Sequence, residues 1–242
     1  MSKIYEALKK AEQDREQTRR HPVGRQVLGG DAPATGGNAT QEDYQKLRAS
    51  VVSIAVPSGL HTVLVTAPRH GEGATTVAVG LASALAKERD SRVLLVEANV
   101  RTPALSTILP LTTRSGLVDF IAGRATPDAL ITRLDALNLS VIAAGELHGE
   151  AVDLEMIDAL LGRLRGQFDF IVVDGPPVNT YADASVLGTK VDGVILVVES
   201  DNTPLGEADA AKRQLTKVGV RILGVVLNRH RSYIPAFLES IL

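Results

Sequence analysis

Cysteine is absent from the 242-residue sequence, and aromatic residues make up only 3% of it. A chain without cysteine cannot form a disulfide framework, a thiolate zinc site or a cysteine nucleophile. With so few aromatic side chains, the hydrophobic core must be built from Val, Leu, Ile and Ala, a composition shared by many central parallel strands. The formal net charge of −2 gives no electrostatic reason to expect nucleic-acid binding.

Long apolar runs are absent as well. No stretch of the sequence approaches the roughly 20 apolar residues that a membrane-crossing helix needs. The opening MSKIYEALKKAEQDREQTRR lacks the apolar centre of a signal peptide. We therefore expect a protein that is made and kept in the cytoplasm, with a length that suits one sizeable α/β core.

Residues 1–20 are predicted to form an N-terminal helix. Ser2 is a plausible N-cap, and a narrow apolar stripe follows it, made of Ile4, Tyr5, Leu8 and Ala11. Two interpretations stay open for this helix: a solvated helix, or a docking helix. If it docks, we expect a partner rather than a membrane, because its polar face mixes both charge signs.

A linker and a main domain follow the predicted N-terminal helix. Residues 21–40 are dominated by Gly, Pro, Ala and Thr and predict a flexible linker. Residues 41–242 are predicted to be one domain, which opens with a helix from about Gln41 to Val56.

Within this domain, apolar runs typical of strands alternate with segments of helical length. The runs are HTVLVT (61–66), RVLLVEA (92–98), LSVIAA (139–144), FDFIVVD (168–174), GVILVVES (193–200) and RILGVVLN (221–228), with helical patterns at 73–87, 152–166 and 206–218. This alternation predicts an α/β fold, with a doubly wound, mostly parallel sheet and helices on both faces. In such folds ligands bind at the carboxyl ends of the strands.

The first run leads into a glycine-containing loop and then a helical pattern, TAPRHGEGATTVAVG. This order is typical of a phosphate-binding loop, in which Gly71 and Gly73 turn backbone N–H groups towards an anion and a helix N-terminus adds its dipole. Thr75 stands where a hydroxyl would bind Mg²⁺. The lysine expected before it is replaced by Ala74, which should weaken nucleotide binding. The alternative interpretation is a tight strand-to-helix turn with no ligand.

Several segments, in order, resemble the bacterial tyrosine kinases of polysaccharide export. These are MSKIYEALKKAE, EDYQKLR, the phosphate loop, VLLVEANVRTP, FDFIVVDGPPV, VDGVILVVES and GVVLNRH. That family belongs to the deviant Walker A P-loop ATPases, together with cell-division and plasmid-partition ATPases. The resemblance therefore implies a sheet of P-loop NTPase type and a site for ATP or ADP with Mg²⁺.

The resemblance also implies roles for individual residues. Asp174 matches the Walker B aspartate and would hold magnesium together with Thr75; its alternative role is to cap the Gly-Pro-Pro turn that follows. Glu97 and Asn99 stand at two positions that are usually aspartates. The implied nucleotide-binding residues are Arg69, Gly71, Glu72, Gly73, Thr75, Thr76, Arg101, Asn228 and Arg229, the last two near the adenine base.

Other departures from the family concern charge and assembly. Its Glu-x-x-Arg-x-x-Arg ring motif reads Glu42, Gln45 and Arg48 here, and its tyrosine cluster is reduced to Tyr233. Arg69 lies five residues before Ala74, where partition-type relatives carry a signature lysine. It either replaces part of the missing charge or, as we favour, is a solvated loop arginine. The five histidines show no metal-ligand spacing.

These features lead to three functional hypotheses. The first is a non-catalytic or weakly active kinase-like regulator of exopolysaccharide or capsule export. It would be held at the inner membrane by a polysaccharide co-polymerase, with an active kinase paralogue or further copies of itself as other partners. The second is a working tyrosine autokinase or ATPase with a compensated loop. The third is a partition-like ATPase, which the mild net charge disfavours.

Overall fold

The computed structural model describes residues 40–88, 90–147, 149 and 152–230. The predicted helix at 1–20, the linker up to residue 39 and Tyr233 lie outside these residues, so those predictions stand as they were.

Strands and helices alternate along the described chain. The strands are β1 (Thr62–Thr66), β2 (Val93–Glu97), β3 (Thr132–Leu134), β4 (Leu139–Ile142), β5 (Phe170–Asp174), β6 (Gly193–Glu199) and β7 (Ile222–Asn228). The helices are α1 (Gln41–Ser58), α2 (Ala74–Ala86), α3 (Leu105–Ile108), α4 (Leu117–Ile121), α5 (Pro127–Leu130), α6 (Leu154–Leu164), α7 (Asp183–Thr189) and α8 (Leu205–Lys217), with a 3₁₀ turn at Asp135–Leu137.

The seven strands form one sheet in the order β3-β4-β2-β5-β1-β6-β7. All neighbouring strands run parallel except β3 and β4, which are antiparallel. The predicted doubly wound, mostly parallel α/β fold is therefore confirmed. Each predicted strand run contains a strand, whereas β3 was not predicted because the three residues Thr-Arg-Leu are too short to show a period.

Two hydrophobic clusters cover the two faces of the sheet. On one face α1 and α2 pack through residues such as Ala55 and Leu81 against alternate residues of the central strands. On the other face α6, α7 and α8 pack against the remaining strand residues, with Leu160 and Leu215 fully buried. Strands buried on both sides read as continuous apolar runs, which explains why periodicity alone showed no alternation within them.

Helix α1 has a well-defined start and internal charge pairing. The Thr40 hydroxyl accepts a hydrogen bond from the Asp43 N–H at 3.3 Å, and the Asp43 carboxylate accepts one from the Thr40 N–H at 2.8 Å, a capping box. The two retained charges of the ring motif pair within the chain: Glu42 with Lys46 at 2.8 Å, and Arg48 with Glu88 at 2.6 Å. Among the described residues no helix is long and apolar enough to span a bilayer.

Candidate functional site

A cavity of about 290 Å³ lies at the carboxyl ends of β1, β2 and β5. This is the position where α/β folds bind their ligands. The cavity brings together most of the predicted site residues: Arg69, Gly71, Glu72, Gly73, Ala74, Thr75, Thr76, Asn99 and Arg229. Four other predicted residues do not line it: Glu97, Arg101, Asp174 and Asn228.

The loop between β1 and α2 has the backbone shape of an anion-binding loop. Gly71 and Gly73 adopt φ values of +85° and +90°, which side chains rarely tolerate. Gly73 is the N-cap of α2, so the free N–H groups and the positive dipole end of this helix face the cavity. Ala74, the first residue of α2, offers a methyl group where a phosphate-binding lysine would stand.

The buried side chain of Glu72 holds the phosphate loop in place through hydrogen bonds. Its side chain is only 1% exposed, and its carboxylate accepts hydrogen bonds from the Arg69 N–H at 3.1 Å, the Arg69 Nε at 3.2 Å and the Thr203 hydroxyl at 2.6 Å. Thr203 lies in the connection between β6 and α8, so this contact joins the phosphate loop to that connection. No sequence signal pointed to Thr203, because it lies 131 residues away from Glu72.

Arg69 is held by the protein. Beside Glu72, its guanidinium lies 3.2 Å from a Glu207 carboxylate oxygen and donates to the Asn202 carbonyl at 2.9 Å. The favoured interpretation of a solvated loop arginine is therefore wrong, because its charge is paired with two carboxylates inside the chain. Its direct contact with a nucleotide stays a prediction.

Asn228 supports the loop from beneath. Its side-chain amide donates to the Glu72 carbonyl at 2.8 Å, and a Cβ added to Gly73 would come within 2.1 Å of the same nitrogen. The neighbouring Arg229 pairs with Glu199 at 2.8 Å. Both arginines that line the cavity are thus neutralised by acidic neighbours. The predicted contact of Asn228 and Arg229 with adenine is not tested by these geometries.

Glu97, at the end of β2, uses its carboxylate to bind backbone. It is 2% exposed and accepts hydrogen bonds from the N–H groups of Ala104 at 2.5 Å, Leu105 at 2.7 Å and Ala144 at 3.0 Å. The carboxylate therefore ties the end of β2 to the start of α3 and the end of β4. Asn99 likewise closes a turn, through its amide to the Thr102 carbonyl at 3.2 Å.

Asp174, at the end of β5, is the unsatisfied carboxylate of the site. It is 1% exposed, and neither oxygen has a hydrogen-bond partner, so the alternative role as a turn cap is wrong. Burial raises the pKa of Asp174 to about 7. The nearby Thr75 hydroxyl offsets part of that rise without reaching hydrogen-bond geometry, and the Glu97 charge adds to it. A buried, unpaired carboxylate beside a threonine hydroxyl suits the outer shell of a magnesium ion.

A second group of side chains surrounds the Tyr181 ring, and one of them, His70, also lines the cavity. Arg101 pairs with Asp183 at 3.1 Å, and its guanidinium lies 5.2 Å from the centre of the Tyr181 ring. The same ring meets His70 edge-on at 5.6 Å. In the part of the chain that the structure describes, no cluster of three or more His, Cys, Asp or Glu side chains could hold a metal by itself.

Known proteins share this architecture. A family model described as "ParA: NUBPL iron-transfer P-loop NTPase" matches residues 60–237, so the chain belongs to this family of P-loop NTPases. Among solved structures, the septum site-determining protein MinD of Pyrococcus horikoshii, complexed with Mg-ADP, aligns with a TM-score of 0.60 and 26% identity. That match covers 75% of this chain and 76% of the other.

Within this family, the relatives include bacterial tyrosine-protein kinases, which confirms the resemblance seen in the sequence. The putative tyrosine-protein kinase CapB of Staphylococcus aureus is 27% identical over 191 residues, 78% of this chain and 83% of CapB. The tyrosine-protein kinase YwqD of Bacillus subtilis is 27% identical over 77% of this chain and 80% of its own. The chimerical protein CapA2B2 superposes with a TM-score of 0.72 and 26% identity, covering 79% and 85% of the two chains.

Proposed function

We propose that the chain is a tyrosine-kinase-like regulator or scaffold of exopolysaccharide or capsule biosynthesis and export, with little or no catalytic activity. The observation that carries this proposal is a phosphate cavity in which, among the residues that the structure describes, each lining Arg side chain is paired with a carboxylate and no Lys is present. Ala74 stands at the lysine position, and the guanidinium groups of Arg69 and Arg229 are paired with carboxylates. The tyrosine-kinase names of CapB and YwqD support the kinase-like part of this proposal, and the polysaccharide setting rests on the resemblance of the sequence to the kinases of polysaccharide export.

The residues present provide the backbone shape of a site for a nucleotide with magnesium, but they lack part of the positive charge that such a site needs. Backbone N–H groups at Gly71 and Gly73 and the start of α2 would receive the phosphates, while Thr75 and Asp174 would hold the magnesium shell. The ion would neutralise phosphate charge when bound. A missing charge-assisted hydrogen bond costs about 1.5–3 kcal/mol, so binding should be about ten- to a hundred-fold weaker than with a lysine.

Weak binding is compatible with a regulatory role. A ligand that prefers one arrangement of the loop shifts the population towards it, whether or not chemistry follows. Here Glu72 couples the loop to Thr203, and Arg69 couples it to Glu207 on α8, so a change at the phosphates would reach the outer surface of the domain.

The proposed partners follow from the same family. The chain would work at the inner membrane through the cytoplasmic ends of a polysaccharide co-polymerase, beside a catalytically active kinase paralogue or further copies of itself. The ring motif carries Gln45 in place of its middle arginine, which supports the absence of a self-assembled ring.

A second candidate is a working tyrosine autokinase. Two observations favour it: Thr75 and Asp174 are retained, and the relatives are named tyrosine kinases. In that case Arg69 would have to leave Glu72 and Glu207 to reach the nucleotide, at the cost of two buried or half-buried carboxylates losing their partner.

Calorimetric titration with ADP·Mg²⁺ and ATP·Mg²⁺ separates the two candidates. We compare the natural chain with Ala74→Lys, and with Ala74→Met as the control of similar length without charge. The regulator proposal expects binding to strengthen about ten- to a hundred-fold in the lysine variant alone. Micromolar binding by the natural chain, with transfer of labelled phosphate from ATP to tyrosine, would overturn it in favour of the autokinase.

A further inference from the structure

A second cavity, of about 410 Å³, opens between α1 and β7. Its walls include the Tyr44 and Leu47 side chains of α1 and Val226 and Leu227 of β7, and they also include Asn228 and Arg229, the two residues predicted to lie near the adenine base. The Tyr44 ring is fixed in place: it packs against Gly80 on α2, and its hydroxyl donates to the Thr76 carbonyl at 3.4 Å. We call this cavity the α1–β7 groove.

Strand β7 is less covered than its neighbour. Within the described sheet β7 pairs with β6 alone, and residues 222–227 are apolar apart from one glycine yet only half-buried. In contrast, the apolar residues of β6 are buried. An edge strand with an uncovered apolar side is a site for association with another segment of chain.

The chain itself supplies a segment at this place. His230 lines the groove, and the residues that follow it, 231–242, read RSYIPAFLESIL. Apolar side chains recur there at 234, 237, 238, 241 and 242, the spacing of one face of a helix. At 1.5 Å per residue, a helix over 234–242 would be about 14 Å long, shorter than the roughly 23 Å of a seven-residue strand such as β7.

We propose that residues 231–242 turn back on their own domain and cover the α1–β7 groove with the apolar face formed by residues 234, 237, 238, 241 and 242. Because the segment is joined directly to the groove, its local concentration there reaches the millimolar range, which favours it over a second copy of the chain. Residues 21–39 are a poorer match, since they show no apolar period.

The absence of tryptophan allows a direct test in the 242-residue chain. Phe237→Trp places a single fluorophore on the apolar face, and Ser240→Trp places one off it as the matched control. If the segment docks, Trp at 237 should emit at shorter wavelength and be quenched several-fold less by iodide than Trp at 240. Adding Ile234→Asp, which changes the segment and not the groove, should abolish that difference.

Hydrogen exchange locates the contact. Comparing the natural chain with Ile234→Asp, we expect several-fold faster exchange in the first turns of α1 and in β7, with α6 on the other face unchanged. Equal quenching at positions 237 and 240 would overturn the proposal. A tryptophan at position 237 that is shielded from iodide while exchange in α1 and β7 is the same in both chains would also overturn it, because the segment would then dock elsewhere. Shielding that is lost on dilution would overturn it as well, because the occupant of the groove would then be a second copy of the chain.

Discussion

The buried carboxylate of Asp174 should make the protein less stable as the pH rises. Its pKa is raised from the ordinary 3.8 to about 7, chiefly because burial disfavours the charged form. Below pH 3.8 the carboxyl group is protonated in both the folded and the unfolded chain, so no penalty exists there. Between pH 3.8 and about 7 the unfolded chain has released its proton while the folded chain keeps it, so stability falls over this range and levels off above the folded pKa.

The size of this penalty follows from the shift. A pKa rise of about 3 units corresponds to about 4 kcal/mol between low pH and pH values above the folded pKa. Asp174→Asn keeps the shape of the side chain and removes its charge. We therefore expect the variant to match the natural chain below pH 3.8 and to gain about 1.4 kcal/mol per pH unit up to the folded pKa, so that its advantage is already about 1.6 kcal/mol at about pH 5. At high pH it should be more stable, by up to about 4 kcal/mol.

Urea unfolding without nucleotide or magnesium, from about pH 5 to about pH 9, measures the difference. Asp169→Asn is the control. The pKa of Asp169 is lowered by hydrogen bonds from Arg92, so its replacement should cost stability by a constant amount over this range and not vary with pH. If the curve of Asp174→Asn runs parallel to that of the natural chain, the carboxylate is solvated or paired and the reasoning fails.

Two further predictions concern the supports of the site. Glu97→Asp and Glu97→Gln should each lower the free energy of unfolding by about 2–3 kcal/mol in denaturant titrations, because aspartate is too short to reach the three N–H groups and glutamine has no negative charge to offer them. Unchanged stability would mean that Glu97 does not hold the backbone together and is instead available as a ligand. Gly73→Ala should cost more than Gly71→Ala, measured by thermal unfolding. Both residues have positive φ, a conformation that costs about 1–2 kcal/mol for a residue with a side chain, but only an alanine at position 73 would also collide with the Asn228 side chain. Equal losses of stability would contradict the support of the loop by Asn228.

The sequence predicted the sheet well because long apolar runs and helical patterns are local signals. It also predicted the position of the phosphate loop, since glycines with positive φ leave a readable spacing at 71 and 73. The short elements β3, α3 and α5 have three or four residues each, too few to establish a period.

The roles of the charged side chains could not be predicted from local sequence patterns. The partners of Arg69 are distributed between position 72 and positions 202 and 207, and those of Glu97 include the distant Ala144. A carboxylate at a strand end looks the same in sequence whether it faces a cavity or backbone N–H groups. Only the fold decides that Asp174 is unpaired and that Glu97 is fully bonded.

The site has the backbone shape of a phosphate loop and an alanine, Ala74, at the position where a lysine is expected. The parts that set its backbone are in place: positive φ at Gly71 and Gly73, the Asn228 support and the Glu72 tie. Meanwhile Ala74 carries no charge and Arg69 is paired within the chain. Since phosphoryl transfer depends mostly on electrostatic stabilisation of the transition state, such a site loses catalysis before it loses recognition. Under the proposed regulator function, a loop that keeps an anion-binding backbone and is tied through Thr203 to the connection before α8 would serve a conformational signal better than chemistry.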